Sequence, residues 1–193
     1  MALVCGSTQG LGRVVARLFA TEGAWIAVNF RADIEGAKSL VDEIRSDGGR
    51  ALLVPGDVRT YEGAWTVARY VEQEWAQVDV LLHAASLLGP DEAVSDPAPL
   101  ISELAPGMRE RHWGRVVIFK EATSIGGSDL YSQLSGQGLL INTLKLPAGS
   151  RPAYVDEVGV GPRACPARCA LFFGSAWNTG ISGAELSVHA ADS

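Results

Sequence analysis

The sequence is poor in cysteine, in basic residues and in long apolar runs. Cysteine occurs three times, at Cys5, Cys165 and Cys169. An odd number without framework spacing does not build a disulfide-stapled fold; it predicts reduced thiols and a cytoplasmic setting. Cys165 and Cys169 stand at helical spacing with no nearby His, and two thiols alone do not hold zinc. Lys and Arg number 16 against 22 Asp and Glu, a formal net charge of -6. That balance excludes a nucleic-acid backbone or an anionic membrane as the main partner, since both select basic faces. No apolar run approaches the roughly 18 residues that a membrane span requires. The first one, residues 2–4, passes directly into a glycine-containing turn, so no signal peptide is expected. Glycine is plentiful, at 22 of 193 residues, in a chain that is 47% hydrophobic. These proportions predict one compact domain over residues 1–193 with a substantial core.

Short apolar runs alternate with longer amphipathic stretches through residue 86. Strands are predicted at residues 2–5, 25–28, 51–54 and 78–83, and helices at 11–21, 34–46 and 61–75. Val14 with Leu18, and Val15 with Phe19, recur at i, i+4, while Gly23, Gly48 and Gly49 stand at helix stops. Strands of four to six residues alternating with helices of ten or more imply βαβ units and a parallel sheet covered on both faces. The second half is less regular. Residues 89–99, rich in Pro and acid, read as a loop; 100–111 as a helix; 114–119 as a strand. Residues 130–146 read as a helix ended by Pro147, 154–160 as a strand, 169–173 as a helix end and 184–189 as a last strand.

Gly6-Ser7-Thr8-Gln9-Gly10-Leu11-Gly12 lies between the first strand and the first helix. Small residues there let the backbone approach a pyrophosphate, whose charge is met by free N–H groups at the helix start. The Gly-x-x-x-Gly-x-Gly spacing is joined by Gly56-Asp57-Val58, by residues 79–86, by Gly114-Arg115-Val116-Val117, by a Tyr131-Ser-x-x-x-Gly-x-Gly run and by residues 173–183. In order, and over nearly the whole chain, these stretches resemble the short-chain dehydrogenase/reductase family. The resemblance implies a Rossmann-like, doubly wound parallel sheet, a nicotinamide dinucleotide and a small-molecule carbonyl or alcohol substrate. It assigns Gly6, Ser7, Gln9, Gly10, Leu11 and Gly12 to the cofactor phosphates, Asp57 and Val58 to the adenine, and Ala84 to the cofactor side of the fourth strand. Family members usually pair through long helices of the second half, so a homo-oligomer is expected, with residues 130–146 available for it.

The cofactor can be narrowed from charge. An acid at the end of the second strand accepts from a ribose 2′-OH, whereas Arg suits a 2′-phosphate. Here the strand ends Asn29-Phe30-Arg31, with no acid before Asp33, which favours NADP over NAD.

The catalytic half departs from the family pattern. The resemblance makes Tyr131 the general acid/base, yet Ser135 stands four residues later where the family has Lys. A cation one turn away is what stabilises a phenolate. The family's strand-end Ser is replaced by Lys120-Glu121, and the nearest serine is Ser124. Tyr131, Ser124 and Lys120 are therefore the catalytic candidates. His83 and Ala84 replace an Asn pair, and the helix Asn has no counterpart. The chain is shortened at three internal places: after Ser86, before Tyr131 and after Pro162. The expected activity is an NADP-dependent oxidoreductase with a remodelled site. The alternatives are a non-redox cyclase, isomerase or lyase on the same fold, and a non-catalytic nucleotide-binding protein.

Overall fold

In a computed structural model, residues 1–75, 77–87, 96–122, 131, 133–147 and 165–188 are described. Among the described residues seven strands form one sheet: β1 (Ala2–Cys5), β2 (Ile26–Phe30), β3 (Ala51–Pro55), β4 (Val80–His83), β5 (Gly114–Glu121), β6 (Leu139–Leu146) and β7 (Glu185–Ser187). Their order is β3-β2-β1-β4-β5-β6-β7, and every neighbouring pair is parallel. The chain moves outward from β1 to β3, then crosses back to β4 beside β1. This reversal places the carboxyl ends of β1 and β4 at the topological switch point, where doubly wound sheets bind ligands.

The pleat sorts alternate residues to opposite layers. Val4, Val28, Leu82, Val117 and Leu144 face one core, with α1 (Gly10–Thr21), α2 (Ile34–Ser46) and α5 (Cys165–Gly174) packed on it. Leu3, Ala27, Leu81, Val116 and Ile141 face the other, under α3 (Tyr61–Glu74) and α4 (Ala98–Glu110). The helices form because their apolar positions repeat at helical spacing: Leu11, Val15 and Phe19 on α1, and Ala37, Leu40, Val41 and Ile44 on α2, are buried. Asp33 caps α2 by accepting from Gly36 N at 2.9 Å, and Thr60 caps α3 by accepting from Gly63 N at 3.1 Å. No helix among the described residues is long and apolar enough to cross a membrane.

The helix expected over residues 130–146 does not form. Tyr131, Gln133 and Leu134 are helical, but a turn follows, and residues 139–146 become strand β6. Gly136, Gln137 and Gly138 all have positive φ, at 111°, 50° and 85°, which breaks any helical path. Gly138 also lies so close to His112 that a Cβ would stand 2.0 Å from its carbonyl oxygen. Beyond it, alternating Leu139, Ile141 and Thr143 suit a pleated surface, and all eight residues of β6 pair with β5. Periodicity alone could not separate this apolar run from a buried helix. With a strand there, the run offers no long helix for subunit pairing. The strand expected at 154–160 lies outside the described residues. The last strand is β7, shorter than expected, and His189 lies outside the described residues as well.

The far edge of the sheet is fastened by Arg115, only 5% exposed. Its guanidinium donates to the carbonyl oxygens of Gly114 (2.8 Å), Gly138 (3.1 Å), Asn178 (2.8 Å) and Ser175 (3.4 Å). It also lies over the Trp113 ring at 4.6 Å. Asn142 completes the fastening, donating to Ile181 O at 2.8 Å and accepting from Ala184 N at 3.1 Å.

Candidate functional site

Gly6 and Gly12 let the first turn close on itself. A Cβ on Gly6 (φ 76°) would stand 2.5 Å from Ala85 N, and one on Gly12 would stand 2.1 Å from Gly6 O. Two backbones therefore meet where larger residues would hold them apart, a cradle that fits a pyrophosphate. Gln9, exposed at the N-cap of α1, makes no side-chain cap bond, and the first turn carries no acid. The helix start thus presents its N–H groups without a competing carboxylate of its own. Ser7 is buried and donates to Val4 O at 3.3 Å, and the Leu11 side chain is buried in the core, which leaves its backbone for a ligand. Gly10 (φ 58°) opens the helix. Arg13 braces the turn from behind. It donates to Thr8 O (3.3 Å), Gly36 O (3.2 Å) and Ser39 Oγ (3.0 Å), and pairs with Glu43 on α2.

A cleft opens from this turn across the ends of β2 and β3, lined by Gly6, Thr8, residues 29–33, residues 56–59 and Ala85. Buried Asn29 shapes its floor, donating through Nδ2 to Val54 O and Gly56 O, both at 3.1 Å. Arg31, Asp57 and Val58 stand in the lining, as does Arg59. Arg59 Nε donates to Asp57 Oδ1 at 2.8 Å, its Nη2 pairs with Oδ2, and its backbone N–H donates to Oδ1 at 3.1 Å. Arg59 holds the Asp57 carboxyl below the usual carboxylate range, and Arg31 adds to the effect. Ala84 is buried with its N–H on Cys5 O at 2.8 Å, and its neighbour Ala85 is the one that lines the cleft.

A second group of polar residues gathers at the ends of β4 and β5 on the α3–α4 side. His83 pairs in register with Ile118, and Lys120 lies two residues further along the same face of β5. Both are buried. Lys120 Nζ lies 4.9 Å from the centroid of the Tyr131 ring, within cation–π reach. The Tyr131 hydroxyl donates to Asp96 Oδ1 at 3.2 Å, and the same oxygen accepts from Ala98 N at 3.0 Å at the start of α4. Two of the three expected catalytic side chains are thus brought together; Ser124 lies outside the described residues.

The charges here run opposite to those an activated tyrosine needs. Burial, then the negative charge and hydrogen bond of Asp96, push the Tyr131 hydroxyl well above its ordinary value. Burial lowers Lys120 below an ordinary lysine; Asp96 and Glu185 oppose the effect and Lys145 adds to it. His83 is pushed down to about 4, chiefly by burial, with Lys120 assisting and Asp96 opposing. Sequence reasoning missed Asp96, Arg59, Asn29 and Arg13. An Asp-Pro ahead of an apolar helix was the available signal for Asp96, since that pattern places a cap.

His83 makes stability depend on pH. Its folded pKa of about 4 lies below the ordinary 6.5. Between those values the unfolded chain binds a proton that the folded chain refuses, so stability falls as pH falls through that window. The full loss is about 3 kcal/mol. Urea midpoints measured from pH 7.5 to 4.5 should drop accordingly, and His83→Gln should flatten the curve. A wild-type curve already flat above pH 4.5 would contradict the buried neutral imidazole.

Comparisons with known proteins converge on one family. The family model for short chain dehydrogenases matches residues 1–132. A short chain dehydrogenase of Pseudocercospora fijiensis is 35% identical over 133 residues, covering 60% of this chain and 43% of that protein. The chain therefore spans less than half the length of that relative. Among solved structures, the hydroxysteroid dehydrogenase of Escherichia coli superposes with a TM-score of 0.81 at 20% identity, covering 99% of this chain and 96% of that one. An NADPH dependent reductase involved in bacilysin biosynthesis superposes with a TM-score of 0.77 at 16% identity, covering 99% and 98%. At such identities the superpositions speak for the fold alone, and the fold agrees with the sequence match: the chain belongs to the short chain dehydrogenase family.

Proposed function

We propose that the protein is an NADP-dependent oxidoreductase interconverting a carbonyl and an alcohol on a small molecule, with Lys120 as its proton-carrying group. The observation that carries this reading is one of placement. The nucleotide cleft at β1–β3 and the Lys120–Tyr131–Asp96–His83 group at β4–β5 share the carboxyl edge of one sheet, on either side of the Gly6–Ala85 contact. The family's relatives support redox chemistry, and one structural neighbour is an NADPH dependent reductase.

The Gly6–Gly12 turn and the start of α1 would hold the pyrophosphate, and Arg31 the 2′-phosphate. Both acids of the cleft are otherwise engaged: Asp33 on the Gly36 N–H and Asp57 on Arg59, which favours a phosphate over a bare ribose hydroxyl. A bound nicotinamide supplies or accepts the hydride. Lys120 gives a proton to the carbonyl oxygen in reduction and recovers it in oxidation; its lowered pKa eases release. The Tyr131 ring holds the ammonium, Asp96 holds Tyr131, and neutral His83 closes the inner wall without adding charge. Ser124 completes the catalytic set as the hydroxyl expected to steady the same oxygen.

Thermal unfolding with cofactor tests the reading. Saturation at a hundredfold over Kd stabilises a protein by about 2.7 kcal/mol, so NADPH should raise Tm by several degrees and NADH by less. No shift with either cofactor removes both the nucleotide site and the redox activity. Turnover without any nicotinamide would transfer the protein to the non-redox enzymes.

A further inference from the structure

The cleft holds a second guanidinium that the resemblance does not assign. Arg31 follows β2 and Arg59 follows β3, yet both line the same opening and both act on the Asp57 carboxylate. Asp57 and Arg59 are two residues apart on a surface turn, each with a third of its side chain exposed, so water screens their ion pair and makes it weak. A phosphate dianion presents more charge than a carboxylate and accepts a guanidinium fork equally well. The two acids that line the opening each have a partner already. Asp33 is turned back onto the first turn of α2, with Oδ1 on Gly36 N. Asp57 is the group that Arg59 would leave.

We propose that Arg59 is a specificity-determining ligand of the 2′-phosphate, exchanging Asp57 for the phosphate when the nucleotide enters. Together with Arg31 it makes a two-guanidinium clamp. The same exchange frees the Asp57 carboxylate to accept from an amino group on the base. This rests on the NADP reading, and it adds that preference for a 2′-phosphate is divided between two strand ends.

The test is nucleotide binding, measured by calorimetry with 2′,5′-ADP and 5′-ADP as probes. Wild type should prefer 2′,5′-ADP. Arg59→Met should weaken 2′,5′-ADP by about 10-fold or more, the scale of one lost charge-assisted contact, and change 5′-ADP little. Asp57→Asn, which loosens the rival partner, should raise the preference for 2′,5′-ADP above wild type. An Arg59→Met protein with an unchanged preference overturns the inference; if Arg31→Met meanwhile loses it, the NADP reading stands on Arg31 alone. Wild type that binds neither probe, or binds both equally, removes the reading itself and the inference with it.

Discussion

Lys120→Met should cut carbonyl reduction by about 10²- to 10⁴-fold, the usual contribution of a positioned acid or base, while NADPH binding stays near wild type. Methionine keeps the length and apolar stem that pack beside Tyr131, so the loss reports on the charge. Tyr131→Phe should be milder. It removes the hydroxyl that Asp96 holds but leaves the ring under the ammonium, so it shifts the pH profile more than the maximal rate. Because burial lowers Lys120 from its ordinary value, kcat for reduction should decline with rising pH at a point below that of a free lysine. The opposite ranking, with Tyr131→Phe inactive and Lys120→Met active, would return the acid role to Tyr131. Steady-state rates with paired NADPH titrations separate the two.

Arg115→Leu should destabilise the fold by about 2–3 kcal/mol, the range for losing hydrogen bonds from a buried charged group. The substitution leaves the carbonyl of buried Asn178 without its donor and strips one of two donors from the carbonyls of Gly138 and Ser175, which keep the backbone N–H groups of Gly114 and Asn178. Arg115→Lys should rescue little, because one ammonium cannot reach points spread between the β6 turn and the segment after α5. Urea denaturation gives the number. A loss below about 1 kcal/mol, the worth of an ordinary exposed contact, would mean that Arg115 fastens this edge no better than a surface residue. The Gly6–Gly12 turn lies across the sheet, so the nucleotide affinity proposed for it should persist in any Arg115→Leu protein that remains folded.

The first half of the fold was legible because its signals are local. Helix α2 runs from Ile34 to Ser46 as its periodicity predicts, and the stops at Gly23 and Gly48 take the positive φ that glycine supplies. The glycine turn was legible for a related reason: Gly6 and Gly12 announce a close approach, although only the fold shows Ala85 and the Gly6 carbonyl as the neighbours. Strand β6 was not legible. Its leucines satisfy a helical repeat as well as a strand, and the choice is made by pairing with β5 and by the tight seat of Gly138 against His112. The polar group around Lys120 was half legible. Lys120 and Tyr131 stood out as departures from a pattern, but their meeting depends on β4–β5 register and on Asp96, distant in sequence and caught at the start of α4. Arg59 escaped notice because a charged residue on a surface turn carries no periodic signal. Its importance lies in sharing a carboxylate with Arg31 across two strand ends.

Arg13 ties together two walls of the cleft at the ends of β2 and β3. By holding the Thr8 carbonyl in the first turn together with the Gly36 carbonyl, Ser39 and Glu43 of α2, it joins the phosphate-facing wall to the helix that begins beside Arg31. Under the proposed function, a ligand that seats its diphosphate on the first turn would also fix how far its ribose reaches, so preference at Arg31 would be set on a ruler whose markings Arg13 keeps.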